Sequence, residues 1–585
     1  MSSILSKASQ AFSNGRTIVP DRYRNKKFVY LIILLGLTMD NFNVTGALTT
    51  SYSIEKYFHA SSATASWALS AYALTLGSFI ILFGKIGDII GPHNTYMIGL
   101  MVMCFFSLLT AIPQPSIIAL IVFRALQGIG GAALMPSGFA LAANYFQGAE
   151  LEWAIRLLSI VLTGSLGLGI LLGGVFSVTN IGYQGFFYFT FGLSLTCLVI
   201  LFFLMIPIEK TDNHKEMKLR DLDYPGVFLL VVGLLLVIFG LTEAGSSWKT
   251  PKVYVTIPIG GLLIIFMVCV ETLYFRHFKN NNNAASRIVT RAHIDIEDQN
   301  KVLDKTESDN GSDQSTIQSY SSMQRDWRVR IQLIFPAEVF KLPNFLFLGI
   351  GVFCCLLAYV AFVSALIQYN ILLHGNTPLI ASVKILPMAV GTVLGSILYR
   401  SKYAIRVGIR NTLIFSASLL LGGSIWVSRT DYKVINDYWK FQFASQFIMG
   451  FGVNIFFMVY LNAIMSQTPL HLQGVVSGIF QTFGQVGVAI GSALFTTVVG
   501  VLVIQTESAA KEEQFKKFRN AYYIGITSAI LFIACLFVKD PYRKSKGSAQ
   551  GADSTSENLD SLQSGDISET NKTNEASDTA NKIQA

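Results

Sequence analysis

The chain has 585 residues, 52% of them hydrophobic and only 14% charged, against about 25% charge in an ordinary soluble domain; this argues against a cytosolic enzyme and for a large membrane body. The net charge of +9 is scattered over loops between apolar runs with no compact basic patch, which argues against a nucleic-acid partner and fits charge that orients a chain in a bilayer. All six cysteines (Cys104, Cys197, Cys269, Cys354, Cys355, Cys535) lie in apolar runs without a CxxC pair, so neither a zinc site nor a disulfide framework is supported.

At about 20 apolar residues per crossing, the chain reads as fourteen helical spans. Six lie near 28–48, 67–84, 95–112, 116–135, 154–178 and 183–206, and two near 226–241 and 253–274. Six more lie near 344–368, 380–398, 411–428, 442–464, 475–503 and 522–538. The N-terminal apolar stretch carries Asp40 and no small-residue cleavage site follows it, so it reads as a retained helix rather than a signal. Basic residues flank the first span (Arg22, Arg24, Lys26, Lys27) and the last (Lys539, Arg543, Lys544, Lys546), and crowd the loops after spans six and ten. An even span number then places both termini in the cytoplasm. Two loops oppose this, with Arg429, Lys433 and Lys440 in one and Lys511, Lys516, Lys517 and Arg519 in the other, each diluted by acids.

The expected organisation is a cytoplasmic segment 1–27, a six-helix bundle 28–206, a linker with two additional helices 207–274, a cytoplasmic loop 275–343, a second six-helix bundle 344–538 and a tail 539–585. Residues 279–330 and 545–585 are polar, serine-rich and without periodicity, and read as disordered cytoplasmic segments.

Four motifs carry a resemblance. The second loop reads GKIGDIIGPHN and the fourth span IVFRALQGIGGAALMPSG; span one contains MDNFNVTGAL and span two WALSAYAL. Together with QGVVSGIFQTFGQVGVAIGSA late in the chain and DLDYPG before span seven, these resemble the major facilitator superfamily. Within it they are similar to the fourteen-span drug:proton antiporters, fungal type, near the aminotriazole-resistance group. The fold class implied is an all-α polytopic membrane protein, two six-helix bundles plus two helices. The implied activity is secondary transport of a small molecule, drug or metabolite, out of the cytosol in exchange for protons. The implied setting is the plasma membrane, as a monomer, with no cofactor, no metal and no nucleic acid. Departures exist: Met39 and Phe42 replace Leu and Thr in span one, Ile89, Pro92 and His93 replace basic residues in the loop, and SLGLGILLGG has Ser165 and Ile170 where the span-five antiport pattern has glycine and proline. Sequestration of amino acids or drugs into a vacuole, proton-independent or inward transport, and a non-transporting membrane sensor stay open.

A charge at the centre of a spanning helix costs about 2.5–3.5 kcal/mol on insertion scales, so Asp40 and Arg124 stand out. At about 1.5 Å per residue both lie about 18 Å from the cytoplasmic face, and they are expected to meet as a proton-coupling acid and its partner. The resemblance implies a conformational latch at Gly84, Asp88 and Gly91, and an antiporter-motif helix through Gly169, Gly173 and Gly174. Gly164 and Gly167 belong to the same close-packed stripe, as do Gly478, Gly484, Gly487 and Gly491 in span thirteen. Asn41, Asn43, Gln127, Gln446, Asn454, Gln481 and Gln485 are the candidate substrate contacts, though each one taken singly reads first as a helix–helix hydrogen bond. Trp67 and Tyr72 read as packing or interfacial residues. Lys384 reads as snorkelling to the outer interface, and Glu243 and Glu271 as span-end charges with no special role. No HExxH, phosphate-loop or GxSxG signature is present, so no enzymatic activity is expected.

Overall fold

A computed structural model of the chain describes residues 24–60, 62–206, 222–244, 247–271, 345–400, 406–468, 473–499 and 508–537, with the single positions 22, 208, 339, 342 and 404. The segments 279–330 and 545–585, expected to be disordered, lie outside the described residues, as do most of the loop after span six and residues 1–21.

Among the described residues every regular element is helical. The first six are α1 (Lys26–Phe58), α2 (Ser62–Ile90), α3 (Pro92–Ala111), α4 (Ile117–Tyr145), α5 (Gly148–Ser177) and α6 (Tyr183–Leu204). A pair follows, α7 (Tyr224–Ala244) and α8 (Pro251–Cys269). The remainder are α9 (Phe345–Leu372), α10 (Pro378–Val383), α11 (Leu386–Leu398), α12 (Ile409–Val427), α13 (Phe443–Gln467), which a π-helical turn (Tyr438–Gln442) leads into, α14 (Gln473–Val499) and α15 (Ser508–Leu536). The polytopic all-α class expected above is the one observed.

Among the described residues, thirteen stretches are long and apolar enough to cross a bilayer, α10 and α11 counting as one. The fourteenth expected crossing, near 411–428, is the 19-residue α12. It falls outside the thirteen because Arg410, Asn411, Ser416 and Ser418 dilute its apolar run. Most helices outrun the apolar windows that announced them. The 33 residues of α1 span about 50 Å at 1.5 Å each, well beyond a core of about 30 Å.

The continuous span expected at 380–398 is broken. Lys384 and Ile385 interrupt the helix, and Pro387 sits in the first turn of α11, where its missing N–H costs nothing. The break turns Lys384 inward: its Nζ donates to Asn370 Oδ1 at 3.1 Å and stands 5.5 Å from the Tyr438 ring. It is thus held by protein groups rather than snorkelling freely. Glu271, read as an ordinary span-end charge, is only 1% exposed, and a Cβ on Gly226 would meet its carboxylate beside that of Asp223. Of the cysteines, Cys269 is exposed and the other five are buried or half-buried.

Packing follows small residues. Helix α1 lies on α5, α2 and α3 lie on α4, α9 lies on α14 and α15, and α13 lies on α11 and α12. Two seams join the first six helices to the last group, α2 against α14 and α5 against α11 and α13. Helix α7 rests on both α2 and α14, where Trp67 meets Phe239 with ring centres 5.6 Å apart. Trp248 Nε1 donates to Thr497 Oγ1 on α14 at 2.9 Å.

Candidate functional site

Three polar residues within four positions in the middle of α1, Asp40, Asn41 and Asn43, point three ways. Asp40 turns toward α2 and α4, where Tyr72 Oη donates a short hydrogen bond to its Oδ1. Its other oxygen, Oδ2, is buried without a hydrogen-bond partner. Asn41 faces α5, its Nδ2 donating to Leu162 O at 3.1 Å and to Ser165 Oγ at 2.8 Å. Asn43 faces Arg124: its backbone carbonyl accepts from Nη2 at 2.7 Å and its Oδ1 from Nη1 at 3.4 Å.

Arg124 is fully buried and almost completely satisfied. Its Nε donates to Ala68 O at 2.9 Å and its Nη1 to Gln127 Oε1 at 2.6 Å. The guanidinium stands 4.4 Å from the Tyr72 ring and 5.2 Å from the Phe187 ring, a placement that aromatic quadrupoles favour. Gln127 in turn donates to Asn43 Oδ1 at 3.0 Å and to Ser107 Oγ at 2.6 Å. Asn43 and Gln127 therefore hold the arginine. The expected direct meeting of Asp40 and Arg124 does not occur: no ion pair joins them, and one phenol lies between.

That phenol is the residue the sequence reading took for a packing or interfacial one. Tyr72 is the tyrosine of WALSAYAL, and its place in that motif was the available signal. The GIGG run of α4 makes the arrangement possible. A Cβ on Gly128 would strike Tyr72 O, one on Gly130 would lie 2.9 Å from Gly99 O, and one on Gly131 would strike Asp40 Oδ1. Each glycine lets α4 approach a different neighbour closely.

The loop motif builds a clasp across the α2–α14 seam. A Cβ on Gly474 would lie 2.7 Å from Gly84 O, so the two backbones touch. Asp88 accepts backbone hydrogen bonds from Gly474 and Val475 at the first turn of α14, where unpaired N–H groups and the helix dipole favour an anion. Gly91 has φ +98°, a conformation glycine tolerates, and it turns the chain from α2 into α3. Gly478 continues the seam, a Cβ there lying 3.1 Å from Ile81 Cα. Gly484, Gly487 and Gly491 serve α9 instead, facing Leu356, Phe353 and Leu357.

In α5, Gly169 and Gly173 admit Thr45 and Thr49 of α1, while Gly174 admits Ser382 of α10. Gly164 differs from its neighbours, with nothing within 4 Å of a Cβ placed there. Asn454 of α13 crosses the second seam, its Nδ2 donating to Ser159 Oγ at 3.0 Å and Thr163 Oγ1 at 3.2 Å while its Oδ1 accepts from Ser396 at 2.9 Å. Gln446 and Gln481 are buried within their bundles.

One helical turn from Asp40 lies a cavity shared by both groups of helices. Val44 and Thr45 of α1, Ser70 and Ala73 of α2, and Ile170 of α5 form one side; Tyr359 and Ser364 of α9 with Gln485 and Ser492 of α14 form the other. Ile238 of α7 closes part of the wall. Of the seven amides singled out from the sequence, Gln485 alone lines this cavity.

Comparison with known proteins agrees with this architecture. The Major Facilitator Superfamily model matches residues 30–492 and 348–572. A puromycin resistance protein of Streptomyces alboniger is 23% identical over 76% of each chain. The tetracenomycin C resistance and export protein of Streptomyces glaucescens is 25% identical over 81% of this chain and 75% of its own. A low affinity ammonium transporter of Saccharomyces cerevisiae is 23% identical over 82% of both. Among solved structures, the human organic anion transporter MFSD10 superposes with a TM-score of 0.52 at 12% identity, covering 87% of this chain and 99% of that one; this similarity speaks for the fold.

Proposed function

The chain belongs to the major facilitator superfamily, a family of membrane transporters, and from that premise we propose that it exports a small molecule by alternating access in exchange for protons. Cargo binds in the cavity between the two groups of helices, the position expected for such transporters. Asp40 carries the proton. The observation behind this reading is its carboxylate: fully buried, bonded on one oxygen to Tyr72, bare on the other, and a turn away from the cavity-lining Val44 and Thr45.

Two contacts connect that carboxylate to the moving parts. Tyr72 precedes Ala73 in the cavity wall, so loss or gain of its bond to Asp40 is felt where cargo sits. Asn41, next to Asp40, grips α5 at Leu162 and Ser165, flanking the Thr163 that receives Asn454 from across the seam. Proton exchange at Asp40 is thereby linked to opening of the seam, and Asp88 of α2, bound to the start of α14, clasps the other seam until it rocks. Arg124 sets the position and field of Tyr72 rather than exchanging protons itself.

Membership of the fourteen-span drug:proton antiporters, a monomer in the plasma membrane and cytoplasmic termini complete the reading, with α1–α6 and α9–α15 as the rocking bundles and α7–α8 as the additional pair. Relatives named for resistance and export support the outward direction. A second reading, proton-independent passage in either direction, rests on Ser165 and Ile170 standing where the antiport pattern has glycine and proline. Purified protein in liposomes separates the two: flux of cargo that follows an imposed pH gradient supports exchange, and flux indifferent to it supports the second. Imaging the tagged full chain in its own cell separates the plasma membrane from a vacuolar one.

A further inference from the structure

The cavity carries information about its cargo beyond the transport reading on which this rests. None of the described residues lining it is charged. Its walls are mostly aliphatic, with hydroxyl-bearing Thr45, Ser70, Tyr359, Ser364 and Ser492 and one amide, Gln485. The Oε1 of Gln485 is buried and has no hydrogen-bond partner. Gln485 is pressed against Gly77 of α2, where an added Cβ would lie 3.0 Å from its Cβ, so the seam limits how far the amide can swing. The room available is about 90 Å³, enough for a few waters or one small ring.

We propose that this cavity binds a small neutral molecule that carries at least one N–H or O–H donor on an apolar body, and that Gln485 Oε1 is the acceptor of that donor. A bare buried acceptor costs free energy until it is bonded, so a cargo with a donor gains what an otherwise equal molecule without one does not. A cation would leave water for walls that offer no carboxylate, and an anion would find no arginine or lysine; either desolvation goes uncompensated. Asp40 does not supply the missing charge, because it faces Tyr72 and Gly131 inside the first six helices.

The test uses the purified full chain in detergent and four single-ring probes of nine to eleven non-hydrogen atoms: benzamide, N,N-dimethylbenzamide, benzyltrimethylammonium and benzoate. The readout is the thermal unfolding midpoint, which rises with any ligand that binds the folded state. Benzamide is expected to raise the midpoint by about 2 °C near saturation, and the other three to leave it in place. Gln485→Leu removes the benzamide shift. Gln485→Glu, by placing an acid in the cavity, transfers the shift to benzyltrimethylammonium; should that variant not fold, Gln485→Leu against the unaltered protein still decides. An equal shift with the cation, no shift with benzamide, or a benzamide shift that survives Gln485→Leu overturns the proposal. Binding is read without a gradient, so loss of pH-driven flux with this pattern intact would count against proton exchange alone.

Discussion

Asp40 and Arg124 stand on two sides of a single phenol. Tyr72 donates its hydroxyl proton to the Asp40 carboxylate and offers its ring face to the Arg124 guanidinium at 4.4 Å. An opposite-charge pair in a bilayer is thus joined through an aromatic side chain rather than by an ion pair, leaving one carboxylate oxygen bare. A direct bidentate bridge would have occupied both oxygens and left none to exchange a proton.

Tyr72→Phe separates the two halves of that contact. The ring stays beneath Arg124 while the donor to Asp40 is lost. The protein is expected to fold with a modestly lowered unfolding midpoint, and pH-driven flux is expected to fall by about tenfold, the equivalent of one charge-assisted hydrogen bond of about 1.5 kcal/mol. Flux assays across a series of imposed gradients, with the midpoint measured beside them, check this.

Arg124→Lys tests the opposite side. Lysine cannot span Ala68 O, Gln127 Oε1 and the two oxygens of Asn43 at once, and it lacks the planar fork that fits them. The variant is expected to lose about 3 kcal/mol of stability, visible as a lower unfolding midpoint in detergent. Flux should fall with it even for cargo exchange without a gradient, because the Tyr72 ring loses its support.

At the α2–α14 seam, Gly474→Val should push Gly84 and Asp88 away, since even a Cβ lies 2.7 Å from Gly84 O. Asp88→Asn keeps the shape but weakens the anion that meets the start of α14. Both are expected to raise solvent access to cysteines placed along α14 near Gly478, the valine by more, and labelling rates measure the difference.

Asn454→Ala removes two bonds across the second seam. Interhelical hydrogen bonds in membranes average about 0.6 kcal/mol each, so losing two should let the seam open about eightfold more often. Distance measurements between spin labels on α5 and α11 read that shift. An unchanged distribution would mean that Asn454 serves α13 and α11 alone.

The fold was legible because a bilayer demands an apolar run of fixed length, and almost every such run is a helix where the sequence placed it. The ends were less so. The start of α15, Ser508–Gln514, is polar and helical, outside the region where hydropathy speaks. The break before α11 depends on Pro387 and on a lysine that found Asn370, a partner that only packing supplies. Asp40 and Arg124 declared themselves by being charged in apolar helices. Tyr72 did not: its place in WALSAYAL marked it as part of the resemblance, but one tyrosine among twenty-three shows no role until its hydroxyl is seen against a carboxylate. The amides were visible as a group but not by role: Asn43 and Gln127 hold an arginine, Asn41 and Asn454 join helices, and Gln485 faces the cavity.

The most direct test of proton exchange is Asp40→Asn in liposomes, measured two ways with the same cargo. With a pH gradient imposed, uphill flux is expected to vanish. With no gradient and cargo on both sides, exchange of labelled for unlabelled cargo is expected to persist, because the asparagine keeps the shape of the site and its bond to Tyr72. Uphill flux in the variant equal to that of the unaltered protein would contradict the assignment of Asp40.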